Sequence, residues 1–414
     1  MKIIHVTYTM EGGAGKAASR IHETLLELGK PSVLIVKNDQ FNEKQSFIKR
    51  KIKSLIYRIK KKLNSYTHTI PEKFESKYCF FSVSERDVVK SDYILNKIED
   101  GDVVILYWIG RETLNTATIR KIYKKNVKIF WFGLDMAPVT GGCHYFWDCQ
   151  EYKKKCSNCP AILDKNQNRF AQKQLSIKTK NLKNIDIGLL ASSDIGIEAM
   201  QQAAIKFNSY TKIPYPINTD VFTISNQISK ENIYRIFFNA QNVNDIRKGW
   251  SYFKQYVIQL DRTLNDKKIN INVELISSSY KNHIEELSNL TCVKIIDFGW
   301  ADDDKKLSKL YQQANLMICT SVEDLSPLMV NEALLCGVPV FGFDNASNRE
   351  YIFENINGAI FKFGDISTMA ERTIQHIQNR DLLKNKATIR NSILEIHQKE
   401  TWFRNHFAKI LNEE

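Results

Sequence analysis

The stretch from Leu316 to Phe341 constrains the fold of this chain more than any other. A short apolar run, Leu316 to Cys319, leads through a polar turn into a helical pattern that stops at Gly337, and a second apolar run, Val338 to Phe341, follows. Two buried strands joined by one helix predict a parallel pair in an open α/β sheet. At the carboxyl edge of such a sheet, the helix N-terminus presents N–H groups to an anionic ligand such as phosphate.

Two carboxylates bracket the turn in this stretch. Asp324 lies in the loop and Glu332 on the helix, so the pair can hold two ends of one elongated ligand. Carboxylates accept hydrogen bonds from hydroxyl groups, and a ribose and a sugar ring on either side of a diphosphate would supply them. The alternative is a solvated loop acid and a helix-start Glu that is favoured by the helix dipole alone.

The length of 414 residues exceeds what one hydrophobic core normally supports and predicts two domains. The proline-marked crossing Tyr210–Phe222 is the predicted boundary, which gives a first domain at 1–212 and a second at 213–395. No apolar run reaches the roughly 18 residues of a membrane-spanning helix. The N-terminus is typical of a first β-strand rather than a secretion signal, and we therefore expect a cytoplasmic protein.

The net positive charge of the chain comes entirely from its first half. Residues 1–200 contain 34 Lys and Arg against 21 Asp and Glu, whereas residues 201–414 contain 25 of each. Residues 48–63 combine an apolar stripe at helical spacing with a face of Lys and Arg, which indicates a basic amphipathic helix. At about 1 kcal/mol per basic residue, such a helix could dock on an anionic membrane surface. The alternative is an ordinary helix whose stripe packs on the core.

Four of the eight cysteines are clustered. Cys143, Cys149, Cys156 and Cys159 follow the pattern Cys-x5-Cys-x6-Cys-x2-Cys. The last pair has the spacing of a zinc knuckle, and two further thiols at short range could complete a tetrahedral site. A structural zinc, reduced thiols without metal, and redox chemistry are all compatible with this pattern, and disulfides are not expected in the cytoplasm.

Residues 323–342 resemble the donor-sugar signature of the retaining GT-B glycosyltransferases of family four. That signature has an acid, seven residues, a Glu, a small-residue helix and a Gly-x-Pro-Val strand. The resemblance implies that Glu332 holds the ribose and that Asp324 holds the transferred sugar, a role that Glu323 could share. It also implies that the N–H groups of Leu328 and Met329 hold the diphosphate, and that Ser326 and Pro327 before them belong to the donor-binding residues.

Three further segments complete the expected donor side. Arg247-Lys248-Gly249 is similar to the family's Arg-Lys-Gly motif, which implies that Lys248 first and Arg247 second stabilise the leaving diphosphate without a catalytic metal. Gly13 and Gly15 match the family's glycine loop near the donor phosphate, although a tight turn alone would also explain them. The turn Gly299-Trp300 is a candidate edge for binding the nucleotide base.

The block from Trp131 to Tyr145 is similar to a string found in a subgroup of capsule and exopolysaccharide transferases of family four. These carry His where this chain has Leu134, and that histidine faces the transferred sugar. Asp135 is retained, and with Tyr107 or Trp108 it is expected to line the acceptor side. The residue that takes the role of the missing histidine is left open by the sequence.

Taken together, the resemblance implies an α/β, GT-B fold: two Rossmann-like domains facing across a cleft, with a last helix at 396–414 returning to the first domain. It implies retaining hexosyl transfer from a nucleotide-diphosphate sugar to a lipid-linked or polysaccharide acceptor on the inner face of the membrane, in surface glycan biosynthesis. Two alternatives stay open, a nucleotide-sugar epimerase of the same fold and a basic, zinc-containing nucleic-acid-binding protein.

Overall fold

The computed structural model describes most of the chain. The described residues are 1–37, 59, 71, 73–79, 85, 89–167, 169–225, 232–240, 242–277, 284–287, 289–299, 301, 303–325, 327–344 and 346–412. The expected basic helix at 48–63, except Ile59, lies outside these ranges, as do Ser326 and Trp300. Predictions for these residues therefore stay predictions.

The chain divides into two compact units. The first contains residues 1–215 together with 406–414, and the second contains residues 216–405. The break between Tyr215 and Pro216 lies three residues after the expected boundary. The chain rejoins the first unit at His406, ten residues later than the expected position of 396.

The first unit is a parallel six-stranded sheet with helices. Its strands run in the order β2-β1-β3-β4-β5-β6. The strands are β1 (Ile3–Thr7), β2 (Ser32–Val36), β3 (Val103–Leu106), β4 (Lys128–Phe132), β5 (Ile187–Ala191) and β6 (Ser209–Lys212). The helices are α1 (Gly12–Glu27), α2 (Asp92–Leu95), α3 (Thr116–Tyr123), α4 (Arg169–Leu182) and α5 (Asp194–Gln201).

The second unit is also built on a parallel six-stranded sheet, in the order β12-β11-β10-β7-β8-β9. The strands are β7 (Ile233–Phe237), β8 (Asn272–Ser277), β9 (Val293–Asp297), β10 (Leu316–Cys319), β11 (Val340–Phe343) and β12 (Gly358–Phe361). The helices are α6 (Trp250–Asp266), α7 (Asp304–Gln313), α8 (Leu328–Leu335), α9 (Ile366–Asn379), α10 (Lys386–His397) and α11 (Lys399–Trp402). A π-helical turn, Phe403–Phe407, leads into α12 (Ala408–Leu411), which belongs to the first unit.

The apolar runs form the central strands because parallel strands are buried on both faces. Every residue of β1, β3, β5, β10 and β11 is buried. The helix after β10 ends as expected, with Gly337 at φ +73° just beyond α8. Asp303 caps α7 by accepting from the Lys306 N–H at 2.7 Å.

The predictions from the sequence were wrong for several secondary-structure elements. The strands β2, β6 and β12 were not predicted from the sequence. The strand after Gly337 begins at Val340, two residues later than expected. Within the described residues, no helix is long and apolar enough to cross a membrane.

Candidate active site

The strand order of the second sheet reverses between β7 and β10, and the two expected catalytic side chains meet there. Lys248 lies in the turn after β7 and Asp324 in the loop after β10. The Lys248 Nζ donates a hydrogen bond of 2.7 Å to Asp324 Oδ2, and each side chain is about one-fifth exposed. Ligands of open α/β sheets bind at this switch point, outside the carboxyl ends of the strands.

Backbone contacts fix the two loops against each other. The Val322 N–H donates to the Arg247 carbonyl at 2.6 Å, and the Thr320 hydroxyl donates to the Gly249 carbonyl at 3.0 Å. Gly249 adopts φ +69°, and a Cβ added there would lie 1.8 Å from the Thr320 carbonyl oxygen. The position therefore requires glycine, and the close approach that glycine permits carries Lys248 to Asp324.

Arg247 is held within its own turn. Its guanidinium is hydrogen-bonded to the Asp245 carboxylate, which also caps the turn by accepting from the Arg247 N–H at 3.1 Å. Asp245 therefore positions Arg247, whereas Lys248 reaches across to the neighbouring loop. Contact of Lys248 or Arg247 with a diphosphate stays a prediction.

The acids around α8 are more buried than the sequence suggested. Glu332 is 3% exposed and accepts a hydrogen bond of 3.0 Å from the Tyr311 hydroxyl of α7, and Glu323 is also buried. Pro327 is the N-cap of α8, and its carbonyl accepts from the Val330 N–H at 3.0 Å. Leu328 and Met329 form the first turn, where helix N–H groups have no intrahelical acceptor. Ribose binding by Glu332 and diphosphate binding by Leu328 and Met329 stay predictions.

The glycines expected to contact the donor differ in whether the surrounding atoms leave room for a side chain. Gly15 lies inside α1, and an added Cβ would meet the Met10 carbonyl carbon at 2.2 Å, so close packing alone explains this glycine. Gly13 has nothing within 4 Å of an added Cβ, and the glycine segment forms the first turn of α1 rather than a separate loop. Gly299 follows the edge strand β9 at φ +72°, two strands away from β7.

A cavity in the first unit lies beyond the carboxyl ends of β3 and β4. Its lining includes Tyr107, Trp108, Leu134, Asp135, His144 and Lys178. Asp135 Oδ2 lies 2.5 Å from His144 Nδ1, and the other carboxylate oxygen accepts from the Ala137 N–H at 2.8 Å. We assign the Nδ1–H tautomer to His144 because it donates to Asp135, which makes Nε2 the proton-accepting nitrogen.

The sequence predicted that Asp135, with Tyr107 or Trp108, lines the acceptor side, and all three line this cavity. His144 and Lys178 also line it, although the sequence did not predict them as site residues. The Lys178 Nζ donates to the carbonyls of Ala137 and Thr140 at 2.5 and 2.9 Å. Burial lowers the pKa of Lys178, and the carboxylate of Glu85 opposes that shift. His144 could have been suspected from its place in the same sequence block as Asp135, whereas Lys178 comes from α4 and gave no local signal.

The four clustered cysteines line a second cavity in the first unit. All four are free thiols, and Cys143, Cys156 and Cys159 are buried. A hydrogen bond from the Cys143 thiol to Cys159 raises the pKa of Cys143 and lowers that of Cys159, and burial raises the pKa of Cys156 to about 12. Within the described part of the chain, no group of three or more His, Cys, Asp or Glu side chains is arranged to hold a metal ion, so the expected zinc site stays a prediction.

Known proteins are similar to this chain in its second unit by sequence and over its whole length by structure. Residues 247–392 match the family described as Glycosyl transferases group 1. WcaC of Escherichia coli (strain K12), named as a colanic acid biosynthesis glycosyl transferase, is 22% identical over 251 residues, which are 59% of this chain and 59% of WcaC. The chain thus spans less than two thirds of that relative.

Solved structures resemble the whole chain. The pneumococcal O-GlcNAc transferase GtfA, in complex with UDP and GlcNAc, has a TM-score of 0.62 at 13% identity, over 100% of this chain and 99% of GtfA. Alr3699/HepE from Anabaena, in complex with UDP, has a TM-score of 0.59 at 13% identity, over all of both chains. At this identity the likeness shows the fold.

The two parallel sheets and these likenesses define a protein of the GT-B glycosyltransferase fold. Residues 247–392 match the glycosyl transferases group 1 family, and this match confirms the resemblance to GT-B family four that the sequence motifs indicated.

Proposed function

We propose that this protein is a retaining glycosyltransferase that moves a sugar from a nucleotide-diphosphate sugar to a glycan or lipid-linked acceptor in polysaccharide biosynthesis. The observation that carries the proposal is the 2.7 Å contact between Lys248 and Asp324 at the switch point of the second sheet. A cation for a diphosphate and a carboxylate for sugar hydroxyls stand together there. The solved structures of GtfA and HepE contain UDP, that of GtfA also GlcNAc, and WcaC is named as a colanic acid biosynthesis glycosyl transferase.

Lys248 is proposed to stabilise the leaving diphosphate. Sugar transfer leaves a full extra negative charge on the nucleotide diphosphate, so a cation beside it lowers the barrier more in the transition state than in the bound donor. A lysine ammonium has three N–H donors, and the bond to Asp324 uses one of them. Asp324 can therefore hold Lys248 in place while the ammonium contacts phosphate.

The first turn of α8 is proposed to hold the diphosphate from the other side. The helix dipole and the N–H groups of Leu328 and Met329 favour an anion at this end, directly after the loop that contains Asp324. Together with Lys248 and Arg247 they supply the positive charge that a divalent cation provides in metal-dependent transferases. We therefore propose metal-independent catalysis.

His144 is proposed to replace the histidine that related transferases carry at the position of Leu134. Asp135 fixes the ring through Nδ1, so Nε2 can accept a hydrogen bond from a hydroxyl in the cavity of the first unit. The indole of Trp108 lies beside the imidazole ring, with ring centroids 5.8 Å apart. An aromatic wall with an oriented polar group is typical of a carbohydrate-binding pocket.

Docking on the inner face of an anionic membrane is proposed from sequence alone. The basic amphipathic pattern at 48–63 and the excess charge of residues 1–200 support it. Sedimentation of the protein with anionic but not neutral vesicles is the expected result. Equal recovery with both kinds of vesicle would remove the membrane from the proposal.

Nucleotide binding tests the proposed donor site. We expect UDP or GDP to raise the melting temperature, because a ligand at about 100 times its Kd stabilises the folded state by about 2.7 kcal/mol. The Lys248→Ala variant should lose most of this shift. The control Lys254→Ala removes an exposed lysine of α6 that pairs with Glu286, and it should keep the shift.

The outcomes separate the candidate functions. No stabilisation by any nucleoside diphosphate would contradict the donor site. Isomerisation of a nucleotide sugar without transfer would identify an epimerase instead.

A further inference from the structure

The cysteine cavity has features that the proposed sugar transfer does not use. Its four thiols come from the segment between β4 and α4, and two of its walls are formed by Phe146 and Tyr152. The thiols lie together without disulfides. Four buried or half-buried cysteines around one cavity are more than an apolar core requires.

Backbone N–H groups point at three of the four sulfur atoms. Glu151 N–H is directed at Cys149, Gly141 N–H at Cys156, and the N–H groups of Ala161 and Ile162 at Cys159. Contacts of this kind fix the orientation of side chains that ligate a metal.

The loop between Cys156 and Cys159 is held by one carboxylate. Glu151 accepts hydrogen bonds from the N–H groups of Ser157 and Asn158 and from the Ser157 hydroxyl, at 3.1 to 3.2 Å. Cys156 adopts φ +50°, a left-handed conformation that its side chain disfavours. The structure around the loop therefore keeps both thiols turned towards the cavity.

Lys178 supplies the opposite charge. Its buried ammonium interacts electrostatically with Cys156 and Cys143 and donates to the Thr140 carbonyl. Four thiolates and one divalent cation carry a net charge of −2, so a fixed lysine beside them offsets part of the cost of burial.

We propose that Cys143, Cys149, Cys156 and Cys159 bind one structural zinc ion. Four thiolates in a tetrahedron are a common ligand set for zinc, which is redox-inert and suits soft sulfur ligands. Zinc replaces the thiol protons, which are released to solvent. With Zn–S bonds of about 2.3 Å, a tetrahedral site would hold the sulfur atoms about 3.8 Å from one another. The described residues do not already form a metal-ion site, so zinc binding requires the thiols to move.

The zinc ion would stabilise the loop that carries His144. The Thr140 hydroxyl donates to the Cys143 carbonyl at 2.6 Å, and the Met136 N–H donates to the His144 carbonyl at 3.0 Å. The segment between Asp135 and His144 therefore lies between the two cavities. The zinc has no open coordination position, so its role is structural.

Metal analysis tests the proposal without any donor or acceptor. Protein purified anaerobically, without added metal, should contain about one zinc per chain. The double variant Cys156→Ser, Cys159→Ser should lose it, whereas the control Cys292→Ser, at a half-buried thiol outside the cluster, should keep it.

Cobalt substitution keeps the test decisive if the double variant does not fold. Wild-type protein exchanged with Co²⁺ should show the thiolate charge-transfer and tetrahedral d–d absorption of a four-sulfur site. Absence of metal with eight free thiols after denaturation, a disulfide within the cluster, or zinc that persists in a folded double variant would each overturn the proposal. None of these results bears on nucleotide binding, so the two proposals can fail separately.

Discussion

Lys248 and Asp324 form an ion pair that is partly shielded from water. Each side chain is about one-fifth exposed, so the attraction is screened less than on an open surface. The pair also keeps each side chain in one place before a ligand arrives. Preorganised charge of this kind costs no rearrangement at the moment of reaction.

Replacing the lysine tests this role. Lys248→Ala should lower turnover of a nucleotide-sugar donor by about 10²-fold, because the leaving diphosphate loses its cation, as when one oxyanion-hole donor is removed. Steady-state kinetics with the wild type and with Lys254→Ala as the control measure the effect. Turnover equal to that of the wild type would contradict the assignment.

The strand–turn–helix elements β7–α6 and β10–α8 build the donor site. Parallel strands end at the same edge, so the turn after each strand reaches the same side of the sheet. The fit of the two turns depends on Gly249, whose missing side chain lets the Thr320 carbonyl approach. The backbone bonds between the turns then fix the site.

A glycine pair tests the importance of that fit. Gly249→Ala should destabilise the protein by roughly 2 kcal/mol more than Gly29→Ala, because its Cβ meets a carbonyl oxygen that cannot move freely. Gly29 has φ +70° but nothing within 4 Å of an added Cβ, so it carries only the conformational cost of about 1 kcal/mol. Denaturant unfolding of both variants gives the comparison, and equal destabilisation would show that the clash is relieved.

On the scale of the whole molecule, each unit buries a histidine in its core. His5 of β1 lies beside the Tyr107 hydroxyl, and burial lowers its pKa to about 3, with a smaller contribution from His22. His376 of α9 is bonded to the Tyr234 hydroxyl, and burial lowers its pKa to about 4, while Asp381 opposes the shift and Arg372 and Arg380 add to it. Both histidines are therefore neutral in the folded protein near pH 7.

These histidines make stability depend on pH. The ordinary pKa is near 6.5, so the unfolded state binds more protons than the folded state below that pH. The free energy of unfolding should therefore be highest above about pH 6.5. It should decrease as the pH falls towards 4, and His376 should account for about 3 kcal/mol of that decrease. His376→Gln should show a shallower decline in denaturant unfolding between these pH values, and an unchanged slope would contradict the prediction.

Much of the fold could be predicted because the pattern that specifies it is local. Buried parallel strands are continuous apolar runs, and β10 coincides with the run Leu316 to Cys319 that predicted it. The strand β6 was missed because its sequence, Ser-Tyr-Thr-Lys, is polar. The strand β12 was missed because it is only four residues long and begins with Gly358, a residue typical of turns.

The candidate site could be predicted in part. The motifs identified Lys248 and Asp324 one at a time, from residues close to each in the sequence. Their contact joins residues 76 positions apart, and it exists because β10 is hydrogen-bonded to β7 rather than to β9, its nearest predecessor in sequence. Strand order depends on the packing of the whole sheet, which no local pattern encodes.

By itself, the sequence determined the class of fold, the glycines at the tight turns and the side chains capable of the chemistry, because these depend on neighbours along the chain. The tertiary structure decided that Lys248 meets Asp324, that Glu332 is buried against Tyr311 and that Asp135 orients His144. It also gathered the four cysteines around one cavity. These contacts join separate segments, and only the burial of apolar surface by the complete sheets brings such segments together.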